Sequence, residues 1–211
     1  MKQMLLLITL TISLSLCSLT ERFKEAGPAE KGSSSPSPAG SSENGERVEK
    51  PAPTSAQIAA IANGQNANWD QQGMSWTVPA NWQETTNDSK QLLWRSPGSW
   101  DAANLIVTIS LMDQSFPPDS IKGFYDGAKT RSKNGEVDEL KWLELDGVKG
   151  VQFREANPRK PDGIRRLQWL AYRKYAGQMQ MVNIILSSSG KGFPQHQEEI
   201  YGVLYSTKLA H

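Results

Sequence analysis

Two residue pairs in the second half of the chain constrain its fold more than any other feature. Asp146-Gly147 lies between segments 139–145 and 148–156, and Ala176-Gly177 lies between 164–175 and 178–189. Asp-Gly is favoured in two-residue primed turns, which join antiparallel strands. The alternation of apolar residues in the flanking segments is that of strands. We therefore predict two β-hairpins and an antiparallel sheet in this half.

The first half adds three strands and one helix, and a last helix ends the chain. Apolar residues alternate in "GMSWTVPANW", "QLLWRS" and "ANLIVTISLMD", as expected of strands. The segment 117–135 and the C-terminal segment 194–211 have helical spacing instead. The order β-β-β-α-β-β-β-β-α predicts an α+β domain, in which two helices cover an antiparallel sheet.

Several of these segments resemble one family. They are the opening "GMSWTVPANWQE", the helix after a long third strand, the hairpin "LDGVKGVQF" and the ending "YSTKL". Over residues 70–211 the chain resembles the PsbP-like family, which includes the extrinsic photosystem II protein PsbP, the Mog-type nuclear-import factors and many small bacterial lipoproteins. The resemblance implies an α/β/α sandwich and a mostly non-enzymatic role in binding or assembly. It carries over no functional residue.

The N-terminus has the features of an export signal. Residues 4–16, "MLLLITLTISLSL", form an uncharged apolar run that follows Lys2, as in a secretory signal. The run is shorter than the about 20 apolar residues that a helix needs to span a bilayer. Cys17 is the only cysteine, and the segment 14–17, "LSLC", resembles a bacterial lipobox except that Leu16 stands where Gly, Ala or Ser is usual. We predict lipidation at Cys17. Cleavage with soluble secretion and an uncleaved anchor are the alternatives.

Composition divides the chain into three parts. Residues 1–17 form the signal and lipobox-like segment, and residues 18–64 are rich in Pro, Ser, Gly and Glu. Such a segment buries too little apolar surface to fold, so we predict a disordered linker, with a short helix over 55–62 if that stretch docks. The α+β domain then occupies residues 65–211.

No residue pattern in the exported part predicts a reaction. It has no cysteine, and His196 and His211 lack the spacing of metal ligands. Ser188 and Lys191 match S-x-x-K, but the companion motifs of penicillin-interacting enzymes are absent. We predict no catalytic residue, no metal and no cofactor, and the formal net charge of +1 does not suggest nucleic acid binding.

Basic residues are concentrated between positions 154 and 174. They are Arg154, Arg159, Lys160, Arg165, Arg166, Arg173 and Lys174. We consider them a possible docking patch for an acidic partner or for anionic lipid head groups. Alternatively, they protect a sheet edge and cover apolar neighbours.

Three tryptophans offer a second candidate surface. Trp94, Trp100 and Trp169 could line a groove if they are exposed, although tryptophans of this kind usually belong to the core.

These features predict an exported protein, anchored by lipid on the periplasmic or extracellular side of the membrane. We expect a non-enzymatic binding or assembly module of the bacterial cell envelope, whose partner is a protein or another envelope component. The alternatives are an envelope hydrolase and a small-molecule carrier with a cleft between sheet and helix.

Overall fold

The computed structural model describes residues 47–210, so Cys17 and residues 18–46 of the predicted linker lie outside it. The strands are β1 (Val48–Glu49), β2 (Gln65–Trp69), β3 (Met74–Val78), β4 (Gln83–Asn87), β5 (Gln91–Arg95), β6 (Asn104–Met112), β7 (Val137–Leu145), β8 (Val148–Glu155), β9 (Ile164–Tyr175), β10 (Gln178–Ser189) and β11 (Lys208–Leu209). The helices are α1 (Ser55–Ile61), α2 (Ile121–Lys133) and α3 (Gln197–Tyr205), with short 3-10 turns at Asp70–Gln72 and Pro118–Ser120.

Eight strands form one large sheet in the order β1-β7-β8-β9-β10-β6-β5-β4, and β11-β3-β2 form a small one. Strand β1 runs parallel to β7, with Val48 opposite Trp142. Every other neighbouring pair in the described part is antiparallel. The predicted antiparallel sheet is therefore confirmed.

Both predicted hairpin turns are present. Asp146 and Gly147 have φ values of 46° and 86°, and Ala176 and Gly177 have 48° and 79°. Positive φ at both central residues is the geometry of the type I′ turn, whose twist matches that of the strands it joins. The turns fix the register of β7 with β8 and of β9 with β10.

Helix α2 covers one face of the large sheet over β7, β8 and β9. Ile121 and Ala128 of its predicted apolar stripe are buried there in one cluster with Phe153. Tyr125 stacks on Trp142, with ring centroids 4.8 Å apart and planes within 2°. Successive side chains on a strand point to opposite faces. The same strands therefore contribute to a second core on the other face of the large sheet.

Helix α3 and the small sheet cover that opposite face. The core on this face contains buried side chains from both layers. The large sheet contributes Leu167, Trp169, Ala171, Val182, Ile184 and Leu186, and α3 contributes Ile200, Val203 and Leu204. The inward stripe expected for the last helix is thus present. Helices on both faces of an antiparallel sheet confirm the predicted α+β, α/β/α arrangement.

Secondary structure is present before the expected domain boundary at residue 65. Strand β1 and helix α1 lie within the 18–64 segment, and α1 begins with a capping box between Thr54 and Gln57. Helix α1 packs on α3 at Gly202, where an added Cβ would lie 2.7 Å from the Gln57 carbonyl oxygen. The short helix expected over 55–62 therefore docks on the domain.

Three strands of the domain, β2, β4 and the two-residue β11, have no counterpart in the predicted order. Strand β2 pairs with β3, and β4 pairs with β5 through a register shift between Glu84 and Thr86. All the side chains of β4 are polar, and most of them are exposed. Between residues 47 and 210, no helix has the length and apolar composition needed to cross a membrane.

Candidate functional site

The two ends of the large sheet differ in their connections. We call the end that carries the turns at 146–147 and 176–177 the turn end. The opposite end, which we call the loop end, carries the longer loops 96–103, 156–163 and 190–196. Binding residues are often placed on such loops by a rigid scaffold.

Two of the predicted patch arginines, the partly buried Arg154 and the buried Arg165, are held by neighbours near the loop end. The Arg154 Nε donates to Asp138 Oδ1 at 2.7 Å, and Arg165 Nη2 donates to Asp138 Oδ2 at 2.5 Å. The buried Arg165 guanidinium also lies 4.8 Å from the ring centroid of Phe193. One carboxylate thus pairs with both guanidinium groups.

Two more of these arginines are also engaged by neighbours. Arg166 forms an ion pair with Glu155 at 3.1 Å. Arg173 is buried at the turn end, where its Nε donates to Gln180 at 3.1 Å and its Nη2 donates to the Gln72 carbonyl. Burial lowers the pKa of the Arg173 guanidinium from its ordinary value.

The remaining three basic residues of the predicted patch are exposed but lie apart. Arg159 and Lys160 are on the loop after β8 at the loop end, whereas Lys174 is at the turn end of β9. The structure therefore divides the seven residues between interior and surface and between the two ends of the sheet. Docking through them stays a prediction, and only Arg159 and Lys160 lie side by side on an exposed loop.

A buried polar network joins α3 to the sheet. The Tyr201 hydroxyl donates to the Glu139 carboxylate and accepts from Arg154 Nη1 at 3.0 Å. Gln152 Nε2 donates to the same carboxylate at 2.6 Å. Burial raises the pKa of the Tyr201 hydroxyl, and the hydrogen bond to Glu139 raises it further, so the hydroxyl stays protonated as a donor.

The S-x-x-K residues have structural contacts. The Ser188 hydroxyl donates to the Asp101 carbonyl at 2.8 Å, and the Ser189 hydroxyl donates to Asp101 Oδ1 at 2.6 Å. Both serines are buried, whereas Lys191 is exposed on the following loop. The geometry needed for lysine to activate Ser188 is not present, since the hydroxyl is bonded to a backbone carbonyl.

The three tryptophans proposed for a groove do not lie on one surface. Trp94 and Trp169 are buried in the core, and Trp169 Nε1 donates to the Leu143 carbonyl at 3.0 Å. Trp100 is 86% exposed, whereas the other six tryptophans of the chain are at most 8% exposed. These three tryptophans therefore do not line a groove, and of the three only the Trp100 indole is exposed.

The Trp100 loop is held firmly although its indole is exposed. The Ala103 N–H donates to the Ser96 hydroxyl at 2.8 Å, and Arg95 Nη2 donates to the Ser99 carbonyl at 2.5 Å. Asp101 is bound by both buried serines at the end of β10. These contacts fix the residues on either side of Trp100.

The other two loops at this end are joined to the same scaffold. The Gly190 N–H donates to the Gly163 carbonyl at 2.7 Å, and the Lys191 N–H donates to the Pro161 carbonyl at 3.0 Å. The exposed side chains of the three loops and adjoining strand ends include one indole, one isoleucine and four basic groups. We call this set the loop surface, consisting of Arg95, Trp100, Arg159, Lys160, Ile164 and Lys191.

Sequence reasoning included Trp100, Arg159 and Lys160 among its candidates but missed Arg95, Ile164 and Lys191 as members of one surface. Ile164 is the first residue of β9 and is 49% exposed. Ser189 lies opposite Ile164 in the sheet and binds Asp101. These contacts between distant parts of the chain leave no spacing pattern in the sequence.

Pockets elsewhere on the domain are open surface hollows. One, of about 420 Å³, contains Lys208 and Asp146 in its wall, and their charged groups lie 3.9 Å apart. Another, of about 370 Å³, is lined by Tyr172, Lys149 and Lys174. The described residues include no group of three His, Asp or Glu side chains placed to bind a metal ion.

Comparisons with known proteins identify similar folds. No family model matches the chain, and no curated protein matches its sequence significantly. LpqN, involved in cell envelope biogenesis of Mycobacterium tuberculosis, is 11% identical, with a TM-score of 0.51 over 70% of this chain and 86% of LpqN.

Two other similar structures come from different bacteria. The cyanobacterial PsbP, CyanoP, of Synechocystis sp. PCC 6803 is 14% identical, with a TM-score of 0.46 over 69% of this chain and 92% of CyanoP. A Bacteroides thetaiotaomicron protein is 13% identical, with a TM-score of 0.45 over 70% of this chain. The matched region spans about half of that protein, 49% of its length.

The fold is similar to that of LpqN. The α+β architecture that the PsbP-like resemblance implies is therefore confirmed. At these identities the likeness is one of fold alone, and function must be argued from this chain's own residues.

Proposed function

We propose that the protein is an exported, lipid-anchored module of the bacterial cell envelope that binds another envelope component and catalyses no reaction. In this proposal Cys17 carries the lipid and the domain carries the binding surface. The likeness in fold to LpqN, a protein involved in cell envelope biogenesis, agrees with this setting.

The loop surface is the observation that carries the proposal. A tryptophan that is 86% exposed on a loop fixed at both sides is unusual, because an indole loses favourable burial when it stays in water. Exposed aromatic residues of this kind are enriched at sites of interaction. The exposed basic side chains around Trp100 supply polar contacts at the rim of such a site.

The non-enzymatic part of the proposal rests on the chemistry of the other candidates. The Ser188 and Ser189 hydroxyls hold Asp101, and the carboxylates of Asp138 and Glu139 bind neighbouring side chains. These groups stabilise the fold in the way that buried polar groups usually do. A hydrolase would need a nucleophile and a base brought together in a cleft.

Photo-crosslinking tests the binding surface. A photoreactive phenylalanine is placed at Trp100 or, as a control, at Leu111, which is 67% exposed near the turn end. Crosslinking is carried out in bacteria that export the chain. We expect a discrete adduct, with a protein or with a lipid, from position 100 and none from position 111 when the products are resolved by mass. Equal yields at both positions, or no adduct at position 100, would refute binding by the loop surface.

Metabolic labelling tests the anchor separately. The wild-type chain should incorporate an alkyne-tagged fatty acid, whereas Cys17→Ala should not. Equal incorporation would show that Cys17 is not the lipidated residue, and no incorporation in the wild type would exclude the lipid anchor.

A further inference from the structure

We propose that the loop surface rests on an anionic lipid bilayer, so that the domain contacts the membrane at a second point beyond its anchor. This inference rests on the proposed function and names the envelope component that the loop surface binds. Its occupant is the head-group region of the membrane to which the chain is attached.

The shape of the loop surface suits a bilayer. An indole that is 86% exposed stands on a protrusion, and Ile164, 49% exposed, lies near the same sheet end. Tryptophan favours the interface between head groups and acyl chains because its ring is apolar and its N–H is polar. A bilayer can deform around a protruding ring, whereas a protein partner must offer a matching pocket.

The charge around this protrusion is complementary to anionic head groups. Arg95, Arg159, Lys160 and Lys191 are exposed there. The loops also contain two carboxylates, Asp162 and Asp101, and Asp101 is engaged by Ser189. Over the three loops and Arg95 there are thus four cations and two carboxylates, and the nearby carboxylates of Asp138 and Glu155 are paired with arginines. Cations held close to an anionic leaflet are attracted to it within a Debye length.

The direction of β1 brings the chain into the domain from the same side. Strand β1 runs parallel to β7, which begins near the loop end and finishes at the turn 146–147. The residue before Val48 therefore lies on the loop-end side of β1. The described part of the chain thus enters β1 from the side on which the loop surface lies.

Fluorescence quenching by brominated lipid tests the contact. The full chain is reconstituted into vesicles of phosphatidylcholine and phosphatidylglycerol in which the phosphatidylcholine carries bromine on its acyl chains. Because the other six tryptophans are at most 8% exposed, the difference between wild type and Trp100→Phe reports on Trp100. We expect quenching in the wild type that Trp100→Phe removes.

Charge variants test the role of the basic residues. Lys160→Gln and Lys191→Gln should each lower the ratio of contacting to free domain about fivefold, as expected for losing one cation near an anionic leaflet. Lys174→Gln removes an exposed cation at the turn end and should leave quenching unchanged. Vesicles of phosphatidylcholine alone should quench Trp100 much less.

Several outcomes would overturn the inference. Vesicle-bound protein with unquenched Trp100 would refute the bilayer contact, while a crosslinked adduct at position 100 would leave the proposed function standing. Equal quenching with and without phosphatidylglycerol would refute the role of anionic lipid. An unquenched Trp100 whose emission shifts when polyglutamate is added would assign the loop surface to an acidic polypeptide instead.

Discussion

Removal of one hydroxyl tests the buried network that joins α3 to the sheet. In Tyr201→Phe, the ring keeps its packing, but Glu139 loses a donor and Arg154 loses an acceptor. Arg154 keeps its bond to Asp138, and Glu139 keeps its bond to Gln152. No buried charge is therefore left alone. We expect the free energy of unfolding to fall by about 1.5–3 kcal/mol, as for hydrogen bonds to charged groups, and not by the larger cost of breaking a buried ion pair.

The same substitution should change how stability depends on pH. The folded-state pKa of Tyr201 is raised above the ordinary 10.0, first by burial and then by Glu139. Above about pH 10, the unfolded chain releases this proton while the folded protein keeps it, so stability falls as pH rises. The slope approaches about 1.4 kcal/mol per pH unit. Tyr201→Phe lacks this slope, so the stability difference between the two proteins should nearly vanish between about pH 11 and 12.

Urea unfolding followed by tryptophan fluorescence, at neutral pH and at about pH 11, measures both effects. Tyr205→Phe is the matched control for the loss at neutral pH, because the Tyr205 hydroxyl accepts from Lys141 at 3.2 Å and is only half-buried. It is not a control for the pH effect, because burial also raises the pKa of the Tyr205 hydroxyl. The Tyr205 hydroxyl has one charged partner, whereas that of Tyr201 has two, so Tyr205→Phe should lower the free energy of unfolding by less than Tyr201→Phe does. A difference between Tyr201→Phe and wild type that stays constant from neutral to alkaline pH would refute the reasoning.

Three further outcomes follow from packing and exposure. Gly202→Ala should lower the unfolding free energy by about 1–3 kcal/mol, because its Cβ would lie 2.7 Å from the Gln57 carbonyl oxygen. In the matched change Gly127→Ala the new Cβ would meet nothing within 4 Å, so the free energy of unfolding should rise by about 0.5–1 kcal/mol. A urea titration in which Gly202→Ala is the more stable variant would contradict this packing. In the absence of vesicles, iodide should quench the tryptophan fluorescence of the wild type, and Trp100→Phe should remove most of this quenching. Quenching that persists in the variant would mean that a second indole is accessible. Leu167→Ala, in the core, should cost about 2–5 kcal/mol in the same titration, and a loss below about 1 kcal/mol would argue against its burial.

Sequence reasoning succeeded where the signals are local. The pair Asp146-Gly147 forms its turn because backbone conformation within the pair determines it, and the helix stripe at Ile121 and Ala128 follows from local spacing. Strand β1 could not be predicted, since Val48 pairs with a residue as distant as Trp142. Strand β4 reads "QETTN" and has no apolar alternation, because it is an edge strand exposed to solvent.

The basic residues show how a sequence cluster can mislead. In β9, Arg165 and Arg173 share the parity of Leu167 and Trp169, so they point into the same buried face. That parity was readable from the predicted strand and would have separated Arg165 from its neighbour Arg166. The placement of Lys191 and Trp100 on the same surface could not be predicted from the sequence, because it depends on tertiary contacts between loops.

Strand β4 has a consequence for molecules held side by side. Anchored proteins share a plane, which raises their local concentration and the risk that open sheet edges join into aggregates. The polar side chains of β4 and its irregular register near Thr86 oppose such edge-to-edge pairing, and the other edge is only the two-residue β1. Growth of the large sheet through β4 is thus opposed, whereas β1 covers only two of the nine residues of β7 at the other edge. Crowding at a membrane would therefore not join molecules through β4.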